Sequence, residues 1–426
     1  MTGASPRWLL LALLLALVYL VIGPPGRVPD EPGHFWHAQA IARGHFAPAS
    51  RHAVDLYPLP SGMSTIFWVM RAEGHRLSRK DYEIAASIPH EPYGLRQTST
   101  FPTHYTPLAY IPQTAVALLA RATGMTPFHE VYLGRIVNLL TSLGLIALAM
   151  KAAPRYSTLI LATALLPMTL YELASWSADA PAIGLGLLFC AFMLEPPEPT
   201  PRMMAAVAAT ALLLSLSKPA YFLVALLALF RPTPRRIAVA AIAATAIGIP
   251  IAMAYANYAW YNARPGFVVD PGEQMRCIIA EPLRFATLLW NDLRNNAAGY
   301  GDELIGRFGW LDIHMAKPIV ILEGLLLIAC GLTAAPALDV RRRLAAIAIV
   351  IATFFGIVLS QYLTWSIVCA EWIDGVQGRY FLPILPVALA ALALPSPRWR
   401  VGPRTLAVGA VMANAFGYAA LMRAYY

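Results

Sequence analysis

Long runs of apolar residues recur along the whole chain and are separated by short polar or proline-rich segments. A helix needs about 20 mainly apolar residues to span the hydrocarbon core of a bilayer. The pattern therefore predicts an all-α polytopic membrane protein with about eleven transmembrane helices, at residues 8–23, 132–150, 156–171, 178–194, 203–217, 219–231, 237–257, 317–337, 344–365, 379–395 and 405–421.

The run at 105–120 is ambiguous because Pro107 and Pro112 interrupt it. Lys and Arg collect in cytoplasmic loops, and their positions decide between two topologies. If 105–120 crosses the membrane, the later basic clusters fall outside. If it is an interfacial or re-entrant helix, the N-terminus and every basic cluster fall inside. These clusters comprise Arg7, Lys151, Arg155, Arg202, Arg231, Arg235, Arg236, Arg341, Arg342, Arg343, Arg398, Arg400 and Arg404. We predict the second topology, with the C-terminus outside.

Composition agrees with this class of protein. Of the 426 residues, 58% are hydrophobic and 13% are charged, whereas about 25% are charged in soluble domains. The net charge of +9 is explained by topology and does not require nucleic-acid binding. No small-x-small cleavage site follows the first apolar run, so we expect an uncleaved anchor and not a signal peptide.

Two long segments, 24–131 and 258–316, are predicted to be external loops of a single transmembrane domain that comprises residues 1–426. Loops of this length are usually functional. The second loop contains Cys277, and a shorter turn on the same predicted face contains Cys369. The two cysteines could pair in an oxidising compartment or remain free thiols.

Several ionisable residues lie at the predicted external ends of helices. Such residues are costly at membrane depth. Lys218 follows thirteen uncharged residues, 205–217, and Arg379 begins another apolar run. Each either extends to the lipid headgroups or binds the phosphate of a lipid-linked substrate, which suits the planar guanidinium of arginine especially well. The other candidates in this region are Arg135 and Asp179.

The motif "VPDEPGH" opens the first external loop with two adjacent acids, Asp30 and Glu31. Pro32 can occupy the first turn of a helix, where a preceding carboxylate is favoured by the helix dipole. His34 follows Asp30 by four residues and lies on the same helical face. The alternatives are a capped interfacial helix and a catalytic carboxylate at the membrane surface. The spacing does not match a zinc-binding HExxH motif.

A second histidine-containing motif, "HYTPLAY", begins at His104 and Tyr105. It precedes the proline-interrupted segment at the predicted outer surface. The histidine either lies at the interface for structural reasons or helps to form the mouth of a substrate groove.

These motifs together resemble a bacterial family of uncharacterised multi-pass membrane proteins that is similar to a branch of the GT-C glycosyltransferases. The resemblance extends from about residue 29 to residue 386. It rests on the order and spacing of "PDEPGHFWHAQAIARG" (29–44), "HYTPLAYIPQ" (104–113), "GRIVNLL" (134–140), "LPMTLYELASWSADA" (166–180), "SKPAYF" (217–222), "FGWLD" (308–312) and "GVQGRYFLPILP" (375–386).

The resemblance implies transfer of a sugar from a polyprenyl-phosphate-linked donor at the outer membrane face. By this analogy Asp30 is the catalytic base, and Glu31 positions the acceptor or helps to bind a metal. The loop 258–316 covers the active site. Lys218, Arg379 and Tyr380 suit recognition of the lipid phosphate. The "HPPL" motif of many GT-C enzymes is "HYTPL" in this sequence, which weakens the inference of substrate contacts for His104.

The predicted function is that of an inverting glycosyltransferase in the bacterial cytoplasmic (inner) membrane, with its active site facing the outside or periplasm. Its partners are the lipid-linked donor and a glycan or lipid acceptor of the cell envelope. The catalytic candidates are Asp30 and Glu31. The substrate-binding candidates are His34, His104, Tyr105, Arg135, Asp179, Lys218, Arg379 and Tyr380.

No metal ligand is assigned and no cofactor is certain, although a divalent cation could bind among Asp30, Glu31, Asp302, Glu303 and Asp312. The alternatives are a transporter or flippase of lipid-linked saccharides and a non-catalytic scaffold for envelope assembly. Transporters favour internal repeats and charges at the bilayer midplane. The sequence has no evident repeat, and its acids are predicted to lie at one face, which favours the enzyme.

Overall fold

The computed structural model describes residues 4–46, 56–71, 76–91, 95–99, 105–230, 234–259, 268–334, 336–395 and 397–426. This part of the chain is mainly α-helical. The helices are α1 (Leu9–Ile22), α2 (Glu31–Ala42), α3 (Gly62–Val69), α4 (Arg79–Ser87), α5 (Ile111–Thr123), α6 (Pro127–Ala152), α7 (Ser157–Ala164), α8 (Pro167–Leu173), α9 (Asp179–Leu194), α10 (Pro201–Ser217), α11 (Arg235–Ala259), α12 (Pro271–Ala280), α13 (Pro282–Ile305), α14 (Lys317–Leu332), α15 (Val340–Thr364), α16 (Leu385–Ala391) and α17 (Pro403–Tyr425).

Shorter elements connect these helices. The 3₁₀ segments are Pro6–Trp8, Pro107–Tyr110, Pro219–Phe230 and Gly378–Ile384. Strands β1 (Leu56–Pro60) and β2 (Leu95–Ser99) pair antiparallel with Leu56 opposite Ser99. Strands β3 (Arg307–Phe308) and β4 (Ile313–His314) pair antiparallel with Arg307 opposite His314.

The prediction of a helical membrane protein is confirmed, and each predicted apolar segment coincides with helical structure. In the described residues, α6, α15, α17 and the Arg235–Met253 part of α11 are long and apolar enough to cross a membrane. Shorter apolar helices are Pro6–Ile22, α9, α10 and Gly378–Ala391. The total of eleven crossings stays a prediction.

The predicted helix at 156–171 is divided into α7 and α8 by Pro167. A proline disfavours the helical conformation of the residue before it, and Leu166 is accordingly extended, with ψ 138°. The ambiguous segment behaves similarly. Thr106 is extended before Pro107, and Pro112 lies in the first turn of α5, where its missing N–H is not needed. The interfacial position of 105–120 stays a prediction.

Helix α9 forms the centre of the bundle. Every residue from Asp179 to Leu194 is buried, as expected of a helix that is apolar all round. It packs against α6, α10 and α16 and against the 3₁₀ segments Pro219–Phe230 and Gly378–Ile384. The N-terminus of this central helix therefore places Asp179 within the protein, at one end of the bundle.

Three helices define the two ends of the bundle. The C-terminal end of α1 lies beside Arg135 in the first half of α6, and Tyr425 at the end of α17 accepts a hydrogen bond from Arg27. At the other end, a cavity is lined by residues that precede α1, follow α6 and begin α17. The candidate site lies at the first of these ends.

Cys277 in α12 and Cys369 form a disulfide, with their Cα atoms 5.8 Å apart. The prediction that the two cysteines share a face is thereby confirmed. Arg284 in α13 donates to the Cys369 carbonyl at 2.9 Å. The bond therefore links the second long loop to the segment that precedes Arg379.

Candidate functional site

The chain turns sharply between α1 and α2, and this turn separates the two adjacent acids. Asp30 has φ 62° and ψ 0°, in the left-handed region that Asp and Asn tolerate better than most residues. Pro32 lies in the first turn of α2. As a result the two side chains have different surroundings: Glu31 is fully buried, whereas 24% of the Asp30 side chain is exposed.

The Glu31 carboxylate is enclosed by four donors. Arg135 donates from Nε to Oε1 at 2.8 Å and from Nη2 to Oε2 at 2.7 Å. The backbone N–H groups of Gly26 and Trp176 donate at 2.7 and 2.8 Å. This carboxylate joins three segments that are distant in sequence, and each of its two oxygens accepts two hydrogen bonds.

Arg135 is equally enclosed, with no exposed side-chain surface. Besides Glu31, it donates to three carbonyl oxygens at the end of α1, those of Leu20, Gly23 and Pro24. The roles predicted for Glu31 and Arg135, catalysis and substrate binding, stay predictions, and this geometry does not favour them. Both side chains are fully buried and paired with each other, so in this conformation they support the fold near the site.

Five charged side chains from separate segments meet beside this network and form what we call the ionic cluster: Asp30, Glu172, Asp179, Lys218 and Arg379. Arg379 donates to Glu172 at 2.8 Å and to Asp30 at 3.2 Å, and its Nε lies 3.7 Å from Asp179. Lys218 pairs with Asp179 at 2.7 Å. Three acids thus compensate two cations, and Asp30 is the most exposed of the three acids.

Aromatic rings surround the Lys218 ammonium. Its Nζ lies 4.4 Å from the centre of the Tyr380 ring and 5.4 Å from that of Tyr105, distances at which a ring face attracts a cation. Tyr221 donates to the Tyr380 carbonyl at 2.7 Å. The predicted residues Tyr105 and Tyr380 are therefore brought to Lys218. Tyr221, Tyr380 and every member of the ionic cluster except Asp30 line a small pocket.

His34 supports this aromatic wall from α2. It is 2% exposed. Its Nδ1 is 2.8 Å from the Tyr110 hydroxyl, and its ring stacks on Tyr105 with centroids 6.0 Å apart. Burial lowers the pKa of His34 to about 3, so the imidazole is neutral near pH 7. His34 therefore lies beside Tyr105, another predicted substrate-binding residue. His104, which precedes Tyr105 in the sequence, lies outside the described residues.

The electrostatic surroundings of Asp30 are suited to a base. Burial raises the pKa of the Asp30 carboxyl above its ordinary value of 3.8, and the nearby Arg379 guanidinium opposes this rise. A raised pKa brings a carboxylate closer to the pH at which proton transfer from a hydroxyl is effective. Asp30 combines this property with access to solvent.

The position of Arg379 depends on α13. Glu303 in α13 accepts a hydrogen bond from the backbone N–H of Gly378 at 2.8 Å. A Cβ atom at position 378 would overlap the Tyr300 carbonyl oxygen and lie 2.7 Å from the Leu304 nitrogen. Glycine is therefore needed for this close approach of the two segments, which fixes the backbone that carries Arg379.

The five acids proposed for a cation site do not assemble. Asp302, Glu303 and Asp312 pair with Lys317 at 2.5 Å, Arg307 at 3.0 Å and Arg27 at 3.6 Å. Asp30 and Glu31 face Arg379 and Arg135, as described above. In the described parts of the chain, no group of three His, Cys, Asp or Glu side chains is arranged to hold a metal ion.

The roles of two acids at the site were not predicted: Glu172 was not a candidate, and Glu303 was considered only as a ligand of a cation. Glu172 lies in the last turn of α8 and is fully buried against Arg379, and Glu303 accepts a hydrogen bond from Gly378. In the sequence, Glu172 was recognisable as an acid at the end of a predicted helix, and Glu303 as an acid of the second predicted loop. Their partners, however, are 207 and 75 residues away in sequence, and local spacing carries no signal for such pairs.

The fold and the cluster define a polytopic helical membrane protein with an ionic site at one end of its bundle. The chain belongs to the family described as "Predicted membrane protein (DUF2142)", whose model matches residues 13–388. The predicted resemblance to a family of uncharacterised multi-pass membrane proteins is thereby confirmed.

Two solved structures of ArnT from Cupriavidus metallidurans are similar to this chain. The apo structure is 16% identical and has a TM-score of 0.36, with 98% of this chain and 78% of that chain covered. The structure bound to undecaprenyl phosphate is also 16% identical and has a TM-score of 0.30, with 99% and 79% covered. No curated protein matches this chain.

Proposed function

We propose that this protein is a membrane glycosyltransferase that moves a sugar from a polyprenyl-phosphate-linked donor to a glycan or lipid acceptor of the cell envelope. The observation that supports this function best is the position of Asp30. It is a partly exposed carboxylate in hydrogen-bonding contact with Arg379, within a cluster that also holds Lys218. Glycosyl transfer with inversion needs these two kinds of group: a base for the acceptor hydroxyl, and cations for the departing phosphate.

Asp30 is the proposed base. It takes the proton of the acceptor hydroxyl as the hydroxyl oxygen attacks the anomeric carbon and the bond from that carbon to the phosphate oxygen breaks. The other acids of the cluster are poorer candidates because Glu172 is fully buried and Asp179 is 9% exposed. Proton transfer by a positioned side chain contributes about 10²–10⁴-fold to a rate.

Arg379 and Lys218 are the proposed phosphate-binding cations. Arg379 is held by Glu172 at 2.8 Å, and its second amino group, Nη2, lies 3.2 Å from Asp30. In the proposed mechanism Glu172 keeps the guanidinium in place while Nη2 transfers its hydrogen bond from Asp30 to the phosphate. The phosphate thereby frees the carboxylate that must act as base. The ammonium of Lys218 stabilises the leaving group from the side of Tyr380.

The proposed orientation places the ionic cluster at the external or periplasmic face of the inner membrane. Arg7, Lys151, Arg155 and Arg404 gather at the opposite end of the bundle, where the excess of basic residues favours the cytoplasm. The contact of Glu303 with Gly378 supports a role for the loop 258–316 in holding the site. A divalent cation is not required by this mechanism.

The experiment uses the purified full chain in lipid nanodiscs with a panel of undecaprenyl-phosphate-linked sugars and an envelope glycolipid extract as acceptor. Release of undecaprenyl phosphate and the mass of the glycosylated product are followed by mass spectrometry. We expect Asp30→Asn to bind the donor and to lose about 10²–10⁴-fold in turnover. The matched control is Glu83→Gln, an exposed acid on α4, which should retain full activity.

A second pair of variants tests the cations. Lys218→Ala with Arg379→Ala should abolish donor binding, whereas the control Arg276→Gln, a largely exposed arginine on α12, should not change it. Full turnover by the Asp30→Asn variant contradicts the catalytic assignment. Translocation of a fluorescent lipid-linked saccharide without product formation by the wild-type chain favours the flippase instead.

A further inference from the structure

A cavity of about 860 Å³ lies at the end of the bundle opposite to the ionic cluster. It is formed where the 3₁₀ segment Pro6–Trp8, the end of α6 and the start of α17 meet. The volume is in the range of small-molecule sites in proteins. Neither the proposed reaction nor the ionic cluster uses this cavity.

The charged side chains of this cavity all have the same sign. Arg7, Lys151, Arg155 and Arg404 line it, and none of the described lining residues is acidic. Arg155 is compensated by Glu195, with Nε 2.6 Å from Oε1. The other three cations have no ion-pair partner in the described parts of the chain. The charge of this cavity therefore favours an anionic ligand.

Apart from Ser5, the remaining lining is apolar, and the neighbouring helices have the composition of membrane-spanning segments. Trp8 and Met150 contribute to the wall. Helices α6 and α17, whose ends border it, are both long and apolar enough to cross a bilayer. Leu10, Leu148 and Val408, each within a turn or so of a lining residue, expose their side chains where acyl chains would cover them.

We propose that this cavity binds the headgroup of an anionic phospholipid, whose phosphodiester contacts Arg7, Lys151 and Arg404 while its acyl chains lie along α1, α6 and α17. A lipid fits better than a free phosphate because only a lipid covers the exposed apolar side chains beside the cavity. Basic pockets between transmembrane helices are a recognised arrangement for such headgroups. The lipid joins three elements that are distant in sequence.

The test measures binding of dioctanoyl phosphatidylglycerol to the purified full chain in neutral detergent by native mass spectrometry. Dioctanoyl phosphatidylcholine and inorganic phosphate are the comparison ligands. The variant Arg7→Gln, Lys151→Gln, Arg404→Gln removes the three uncompensated cations. The matched control, Arg202→Gln, Arg235→Gln, Arg236→Gln, removes three exposed basic residues that do not line the cavity.

A basic residue near an anionic lipid contributes about 1 kcal/mol, or about fivefold in affinity. We therefore expect the cavity variant to bind phosphatidylglycerol on the order of a hundredfold more weakly, while the control changes little. Equal losses in the two variants would show diffuse surface attraction and overturn the proposal. So would equal binding of phosphatidylcholine, or competition by inorganic phosphate at the concentrations at which the lipid binds.

Discussion

Replacing Arg135 by methionine tests whether the Glu31–Arg135 pair supports the fold and not the chemistry. Methionine approximates the length of the arginine stem but supplies no charge and no donor. The change leaves the Glu31 carboxylate with only the two backbone donors, Gly26 and Trp176. It also removes the donor from three carbonyl oxygens, those of Leu20, Gly23 and Pro24.

The size of the effect follows from this accounting of partners. Removing one member of a buried ion pair costs about 3–5 kcal/mol because the other charge stays buried without compensation. The loss of donors to the three carbonyl groups acts in the same direction. We therefore expect Arg135→Met to lower the free energy of unfolding by at least about 3 kcal/mol. The double variant Glu31→Met, Arg135→Met should lose less than the sum of the two single changes, since no orphaned charge remains.

The assay is reversible unfolding by sodium dodecyl sulfate in mixed micelles, followed by tryptophan fluorescence. The control is Arg79→Ala in α4. This arginine forms an ion pair of similar length with Glu83, at 2.7 Å, but the two side chains are 91% and 60% exposed. Exposed ion pairs contribute little to stability, so this variant should unfold at the same detergent fraction as the wild type.

Two outcomes would refute the reasoning. If Arg135→Met unfolds at the same detergent fraction as Arg79→Ala, the buried network does not stabilise the fold. If Glu31→Gln abolishes sugar transfer but unfolds at the same detergent fraction as the wild type, Glu31 takes part in the reaction, as the sequence predicted.

Further predictions concern the site. Sugar transfer should fall as the pH drops through the pKa of Asp30; because burial raises that pKa, the loss should begin at a higher pH than for an ordinary aspartate, and pH–rate profiles measure it. Arg379→Lys should raise the KM for the donor at least about tenfold, since lysine cannot contact Glu172 and phosphate through one planar fork. Glu303→Gln, which keeps an acceptor for the Gly378 N–H, should retain most turnover, whereas Glu303→Ala, which leaves that buried N–H without an acceptor, should lose turnover and about 1–3 kcal/mol of stability. Cys277→Ser with Cys369→Ser should lower stability by about 2–4 kcal/mol, measured by the same detergent titration.

Much of the fold could be predicted from the sequence because apolar runs must be helical in a membrane. The positions at which helices break were harder to predict. Pro167 divides one predicted span, whereas the 3₁₀ conformation of Pro219–Phe230 has no clear sequence signal. The basic residues allowed us to predict which helix ends lie on the same side of the bundle. In the structure, Arg7, Lys151 and Arg404 accordingly line one cavity.

The candidate site was predictable as a set of residues but not as a set of roles. Asp30, Asp179, Lys218 and Arg379 do meet. The sequence could not show that Glu31 turns inward, because this depends on the left-handed backbone at Asp30 and on a partner 104 residues away.

The conformation of Asp30 also determines which substitutions at this position have a simple meaning. Most residues pay about 1–2 kcal/mol for a left-handed backbone, and Asn and Gly adopt it readily. Asn keeps the turn and the shape of the side chain while it removes the negative charge. Gly keeps the turn and removes the side chain altogether. Alanine and glutamate change the backbone preference as well, so a library of variants at position 30 should be ranked against Asn and Gly before any loss of function is attributed to chemistry.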